Sequence, residues 1–378
     1  MITCPWGNSP YLADEIRALG LPVRSVNNSS VLTTGTLQEA MVLNLRLRTG
    51  HRILFLLRSF KAHTPEDLYG KLSGIPWEAY IAGQGYLSVT SYVDNIGVKD
   101  ARFANLKAKD AIVDRLRKLS GRRPDSGPEK KGVVVFFYWK ESDCSVYIDT
   151  SGQSLSHRGY RKIPLKAPLR ESVAAAAILA SGWKGEQPLV NPMCGSGTIA
   201  IEAALIALEK PPGLLRSRYG FMQLKGFDSS FWQKLRKEAR RSAKKTFSGR
   251  IIASDISREA VEAARKNAAT AGVDHLIEFH TCDYAQTPVP AAPGIVIVNP
   301  PYGERLGETA ALAKVYAGVG DFFKKDCSGY RGYIFTGNLE LGKKVGLRSK
   351  RRRLFYNGKL ECRLLEYELY TGSKKLKK

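Results

Sequence analysis

Pro188-Leu189-Val190-Asn191-Pro192-Met193-Cys194-Gly195-Ser196-Gly197-Thr198 is the stretch that decides the fold class. Its start reads as a short strand, its two glycines as a tight turn, and the apolar run from Thr198 as a helix. Glycine is needed in such a turn wherever a Cβ would collide with a ligand or a neighbouring element. Nucleotide-binding turns and plain structural turns share this pattern. The phosphate-loop version is excluded, because no Gly-Lys-Ser/Thr follows.

The surroundings of that turn alternate. Strand candidates cover residues 188–190, 250–254, 277–280, 294–298 and 332–336, with helical spacing over 198–208, 258–271 and 310–325. Strand–helix alternation predicts a parallel sheet covered on both faces, a Rossmann-like doubly wound α/β domain. Residues 354–370 carry two strand-like runs around Asn357-Gly358, a hairpin signal. Residues 211–245, basic and partly helical, read as an insertion ahead of the second strand.

The chain before Pro168 is patterned differently. Helical spacing over residues 11–19, 37–47, 61–72 and 105–119 is interspersed with strand candidates at 52–57 and 86–93. A Gly/Pro-rich, charged break at 121–132 precedes two strands, 133–139 and 144–149, joined as a hairpin. Residues 153–166 are polar and basic, an interdomain connection. This half reads as α+β.

Composition narrows the partners. The 378 residues suffice for two or three domains, and 43% hydrophobic residues can fill their cores. Against 35 acidic residues stand 59 Lys and Arg, a formal charge of +24. Such an excess points to a polyanion, since each cation placed on a phosphate releases counterions. Cys4, Cys144, Cys194, Cys282, Cys327 and Cys362 form no close pair, and the five histidines add no ligand spacing, so no metal site is expected. No apolar run reaches the ~18 residues that span a bilayer. Met1-Ile2-Thr3-Cys4-Pro5-Trp6 lacks the basic and apolar regions of a signal peptide, so a cytoplasmic location without a membrane is expected.

Three further motifs carry chemistry. Asp255 ends the second strand, where a carboxylate can accept the ribose hydroxyls of a bound nucleoside; it can equally cap the following helix. Asp283 follows the third strand and can accept an adenine amino group, or stand as a solvated loop aspartate. Asn299-Pro300-Pro301-Tyr302 follows the fourth strand. The prolines end that strand in a rigid turn, leaving the Asn299 amide and the Pro300 carbonyl as outward-facing acceptors. An exocyclic amino group needs such acceptors. Its lone pair is delocalised into the ring, and two acceptors on its hydrogens favour a pyramidal nitrogen that can attack a methyl sulfonium. Tyr302 offers a ring on which the base can stack. The basic segments 236–245 and 348–353 are candidate phosphate contacts, with a solvated surface as the alternative.

The runs Asn191 to Thr198 and Asn299-Pro300-Pro301-Tyr302-Gly303-Glu304-Arg305-Leu306-Gly307 resemble the bacterial THUMP-domain RNA methyltransferases. Within that family they are most similar to the RlmL-type enzymes that make N2-methylguanosine in large-subunit ribosomal RNA. Asp149-Thr150-Ser151-Gly152, Arg158-Gly159-Tyr160-Arg161, Ala167-Pro168-Leu169-Arg170-Glu171 and Asn357-Gly358-Lys359-Leu360 fit the same family. The resemblance implies a ferredoxin-like segment at 1–42, a THUMP RNA-binding domain at 43–155 and a class I methyltransferase domain at 156–378. It further implies S-adenosylmethionine held by Asn191, Met193, Cys194, Gly195, Ser196, Gly197, Asp255, Ile256 and Asp283. Catalysis would fall to Asn299, Pro300, Pro301 and Tyr302. The family usually has aspartate where this chain has Asn191. The substrate implied is ribosomal RNA, with transfer RNA as the alternative. Adenine-N6 methylation of DNA and a non-catalytic RNA-binding assembly factor are the other readings of the same motifs.

Overall fold

The computed structural model describes residues 1–98, 100–163, 168–291, 293–302 and 309–370. Lys166, Ala167 and residues 303–307, used in the reading above, lie outside them.

The N-terminal half opens with β1 (Ile2–Thr3), α1 (Ser9–Ala18), the hairpin β2 (Val23–Asn27) and β3 (Ser30–Thr33), α2 (Leu37–Arg46) and β4 (Arg52–Lys61). It continues with α3 (Pro65–Ser73), β5 (Tyr86–Asp94), α4 (Ala101–Ser120), β6 (Asp125–Ser126), β7 (Val133–Lys140) and β8 (Asp143–Asp149). The eight strands form one sheet in the order β2-β3-β1-β4-β8-β7-β5-β6. Strand β4 is the shared member: Arg52 and Ile53 pair with β1, and the rest of the strand pairs with β8.

The expected helix over 61–72 starts later than its spacing suggested, because Lys61 still pairs with Asp143 across the sheet. Thr64 then caps α3, accepting from the Asp67 amide at 3.1 Å while Asp67 Oδ2 accepts the Thr64 amide. The same reciprocal cap, Thr36 with Glu39, starts α2.

The C-terminal half begins with α5 (Glu171–Ser181), β9 (Leu189–Pro192) and α6 (Thr198–Ala207). After α7 (Ser229–Ser242) come β10 (Ile251–Asp255), α8 (Arg258–Ala271), β11 (Ile277–Thr281) and β12 (Ile295–Val298). The chain ends in α9 (Thr309–Lys325), β13 (Arg331–Thr336), α10 (Leu339–Lys343), β14 (Arg351–Asn357) and β15 (Leu360–Glu368). Their sheet runs β11-β10-β9-β12-β13-β15-β14. The first five strands are parallel, as the alternation predicts, and the hairpin around Asn357-Gly358 adds β15 antiparallel between β13 and β14. Helices α5, α6 and α8 cover one face; α9 and α10 cover the other.

The chain order reverses between β9 and β12. It passes outward from β9 to β10 and β11, then crosses back to β12. Ligands of open α/β sheets bind at such a switch point, outside the carboxyl ends of the strands.

The insertion between α6 and β10 does not stay with its own sheet. Tyr219, Phe221 and Trp232 form an aromatic cluster with ring centroids 4.9–5.2 Å apart, inside the hydrophobic core of the N-terminal half. Phe221 donates its amide to the Thr150 carbonyl at 2.9 Å. At the other seam, Arg48 of the N-terminal half donates to the Leu205 and Lys210 carbonyls at 3.2 and 3.0 Å, and Asn8 donates to the Ser172 carbonyl at 3.0 Å. The two halves therefore meet through packed and hydrogen-bonded side chains.

Candidate active site

The glycine-rich turn rises from the carboxyl end of β9. Three of its residues have positive φ: Met193 at 54°, Gly195 at 54° and Gly197 at 83°. Met193 takes this conformation without being glycine, a local strain of the kind that clusters at functional turns. The two glycines serve different ends. A Cβ on Gly197 would lie 2.9 Å from Ala264 Cβ, so the close approach of α8 requires glycine there. A Cβ on Gly195 would meet nothing within 4 Å, so its outer side is open space.

Asp255 sits at the end of β10, facing that turn. Its Oδ2 accepts the Gly195 amide at 2.9 Å and its Oδ1 the Ser257 amide at 3.0 Å. Helix α8 is capped by Ser257, not by Asp255. The carboxylate thus holds the turn in shape, and each oxygen keeps a further lone pair. Ile256, the next residue, is 72% exposed, an apolar surface beside the site. Asp283, at the end of β11, accepts the Ala285 amide at 2.9 Å and is half-buried. Cys194 is buried, and burial raises its thiol pKa well above the ordinary range.

Asn191 is wholly buried under the turn. Its Nδ2 donates to the Ile297 carbonyl of β12 at 2.8 Å, which ties together the two strands that flank the switch point. Its Oδ1 has no hydrogen-bond partner. A buried acceptor without a protein partner is available to a water or to a ligand group.

Asn299-Pro300-Pro301-Tyr302 stands at the carboxyl end of β12, next to that turn. The expected outward-facing amide is internally engaged: Tyr302 donates its hydroxyl to Asn299 Oδ1. Tyr302 is half-buried, its carbonyl accepts Asn338 Nδ2 at 3.3 Å, and burial pushes its phenol pKa far up. The neutral hydroxyl therefore remains a donor, closing the motif on itself in the free protein. Pro301 is exposed and Pro300 is buried.

Two supporting residues, Arg161 and Asn267, were given no site role from the sequence. Arg161 Nη1 donates to Ser196 Oγ at 3.2 Å and pairs with Glu171 at 3.2 Å. Asn267 of α8 donates to the Ser196 carbonyl at 3.2 Å, and its Oδ1 accepts the Lys162 and Ile163 amides. The connection between the halves thus clamps the turn at Ser196. Charged residues in a polar stretch carry no periodic signal of such a contact.

Of the two basic segments, residues 236–245 include Arg236, whose guanidinium donates to the Gly213, Leu214 and Arg216 carbonyls and stacks on Trp232. Arg236 is therefore structural, while Lys234, Lys237, Arg240 and Arg241 of the same helix are exposed. In the other segment Lys350 pairs with Glu368 and Arg353 with Glu366. Among the described residues no cluster of His, Cys, Asp and Glu could hold a metal ion, and no helix is long and apolar enough to cross a membrane.

With this geometry in place, residues 158–366 match the RMKL-like methyltransferase domain. The chain belongs to that family. Residues 1–54 match the RlmL ferredoxin-like domain and residues 62–149 the THUMP domain. The ribosomal RNA large subunit methyltransferase K/L of Syntrophotalea carbinolica is 38% identical over 377 residues, which is 97% of this chain and 53% of that protein. The chain thus spans about half the length of that relative. The putative RNA methyltransferase slr0064 of Synechocystis is 34% identical, covering 96% of this chain and 95% of its own length. Among solved structures, SMU.472, a putative methyltransferase complexed with SAH, superposes with a TM-score of 0.88 at 30% identity, over 99% of this chain and 98% of its own.

Proposed function

We propose that this chain is an S-adenosylmethionine-dependent methyltransferase that modifies the exocyclic N2 amino group of a guanine in large-subunit ribosomal RNA. One observation carries the reading. The open turn of β9 and the Asn299–Tyr302 motif of β12 occupy neighbouring strands at the switch point, linked by the Asn191–Ile297 hydrogen bond. The names of the relatives support RNA as the substrate, and the SAH complex of the family structure supports the cofactor. We assign RNA binding to residues 43–155 and methyl transfer to 156–378.

The residues fit the cofactor. Asn191 Oδ1 supplies a buried acceptor for its ammonium, Asp255 keeps lone pairs for the ribose hydroxyls, and Gly195 leaves the turn open. Ile256 and Asp283 would hold the adenine. S-adenosylmethionine supplies an electrophilic methyl group on a sulfonium.

The chain's own residues position the attacking nitrogen. Asn299 Oδ1 keeps a lone pair beyond the one taken by Tyr302, and with the Pro300 carbonyl it accepts the amino hydrogens. That arrangement favours a pyramidal nitrogen with its lone pair free to take the methyl group that the cofactor would supply. Positioning of this kind, together with exclusion of water, accounts for most of the acceleration. The target base leaves its stack to reach the motif, a cost of a few kcal/mol offset by stacking and phosphate contacts. The amino proton passes to solvent after transfer.

The test is Asn299→Ala. The lost acceptor matters mainly as the nitrogen pyramidalises, so single-turnover methylation should fall ~100-fold or more while cofactor and RNA binding change little. Mass analysis of the product nucleosides reads the base and position modified. A stable Asn299→Ala protein with nearly full activity, or methyl found on adenine N6, would overturn the assignment.

A further inference from the structure

Of the five tryptophans, Trp77, Trp139, Trp183 and Trp232 are buried, whereas Trp6 is 45% exposed. Its ring stacks on Tyr356 with centroids 5.4 Å apart and planes 21° from parallel. One face of the indole is thus covered, and the exposure belongs to the rest of the ring. The backbone around it is pinned independently. The Trp6 carbonyl accepts the Tyr356 amide at 3.1 Å, and Gly7, at φ 93°, lies so close that a Cβ there would be 2.0 Å from the Leu354 carbonyl oxygen. Main-chain contacts already cover this edge of β14. An exposed indole is not needed for that.

Position gives the ring its meaning. β14 is parallel to β13, because each is antiparallel to β15, so Tyr356 lies toward the same end of the sheet as Asn299 and Tyr302. The hairpin tip completes the link. Leu360, 41% exposed, pairs with Asn357, and its Cδ2 and Tyr302 Cδ2 lie 3.0 and 3.2 Å from the place a Cβ on Gly337 would take. Cations line this rim. Arg170 donates its amide to Asn357 Oδ1 at 3.1 Å with its guanidinium beside Gly358, and Arg170 and Lys359 are both exposed. The nearby carboxylate, Glu361, is held by Arg363 at 2.9 Å and by the Tyr356 hydroxyl at 2.8 Å.

We propose that Trp6, backed by Tyr356, is a stacking platform for an unpaired RNA base flanking the target nucleotide, with Arg170 and Lys359 on its phosphates. The proposal rests on the RNA methyltransferase reading above. It gives the N-terminal segment a direct part in holding substrate beside the transfer site. A base has an apolar π-face and a charged backbone, and this rim offers an aromatic face flanked by cations that have no ion-pair partner among the described residues.

The experiment uses the full chain and an RNA hairpin with an unpaired guanine in its loop. Because the other tryptophans are buried, quenching of tryptophan emission on RNA addition reports on Trp6. Quenching is expected in the unaltered protein and absent in Trp6→Phe. Trp6→Ala should weaken RNA binding about 5- to 150-fold, the range of one base–aromatic stack, with unchanged S-adenosylmethionine binding by calorimetry. Trp6→Phe should retain most of the RNA affinity, and thermal melting checks that each variant is folded. Saturating RNA with no change in emission overturns the platform, as does a folded Trp6→Ala that binds RNA like the parent. The two readings fail separately: hairpin RNA that quenches Trp6 but gains no methyl group on guanine refutes the proposed activity alone.

Discussion

Replacing Asp255 tests the cofactor site through two readouts that can be separated. In the free protein its carboxylate accepts two amides, Gly195 at 2.9 Å and Ser257 at 3.0 Å. Asp255→Ala removes both. Water can reach the exposed Ser257 amide, which recovers most of that bond, whereas the Gly195 amide is part-buried. The expected loss of stability is therefore near the worth of one hydrogen bond to a charged group, about 1.5–3 kcal/mol. Cofactor binding is weakened separately. The ribose acceptors disappear, and the turn that must meet the cofactor is no longer preset. A further ~1.4 kcal/mol or more corresponds to at least a tenfold rise in Kd, with RNA affinity nearly unchanged. Asp255→Asn separates shape from charge: its one oxygen can still accept the Gly195 amide, so stability should lie above that of the alanine variant while cofactor affinity stays reduced. Calorimetric titration with S-adenosylmethionine, beside thermal melting without ligand, reads both. An alanine variant that melts lower yet binds cofactor like the parent would make Asp255 a turn-shaping residue only.

Two other perturbations follow from the same contacts. Asn191→Asp removes the donor to the Ile297 carbonyl at a wholly buried position, so the free variant should lose about 1–3 kcal/mol at neutral pH, and its cofactor affinity should rise with pH as the new carboxyl ionises; unchanged stability with pH-independent binding would refute the role of that bond. His51, hydrogen-bonded to Ser172 Oγ at 2.9 Å, has its pKa lowered from 6.5 to about 3 by burial and by neighbouring Arg170, Arg158 and Arg52. Below pH ~6.5 the unfolded chain binds a proton that the folded one refuses, so stability should fall toward pH 3 by at most ~1.4 kcal/mol per unit, and His51→Gln should flatten that limb in urea titrations. Equal slopes in parent and variant would assign acid sensitivity elsewhere.

The elements legible in the sequence are those whose burial is one-sided or whose ends are chemically marked. Strands β9 to β13 showed as apolar runs between turn residues, and the hairpin of β14 and β15 showed through Asn357-Gly358. Helix α5 did not, because Val173 to Ile178 is buried on every side and alanine-rich, so it has no polar face to mark a period. Strands β1, β2 and β3 are short, and β2 carries no buried residue, so alternation had nothing to act on. At the site, residues adjacent in sequence were readable as motifs, and the structure places them at one switch point. What joins them was not readable. The Tyr302–Asn299 closure, the Arg161 and Asn267 hold on Ser196, and the Asn191–Ile297 bond depend on side-chain directions that only the packed sheet defines.

The same distinction explains why the N-terminal residues meant little in the sequence. Met1 to Trp6 carry no periodic pattern and no motif. Their contacts include Leu54 and Ile53 on one side and Tyr356 on the other, more than fifty and three hundred and fifty residues away. One short segment therefore joins β1, an interior strand of the first sheet, to the edge strand of the second. The insertion that carries Phe221 and Trp232 does so in the opposite direction, from the second sheet into the first core. On the function proposed above, both connections would present RNA bound on the N-terminal half to a fixed part of the transfer site. A flexible tether would instead supply only a raised local concentration.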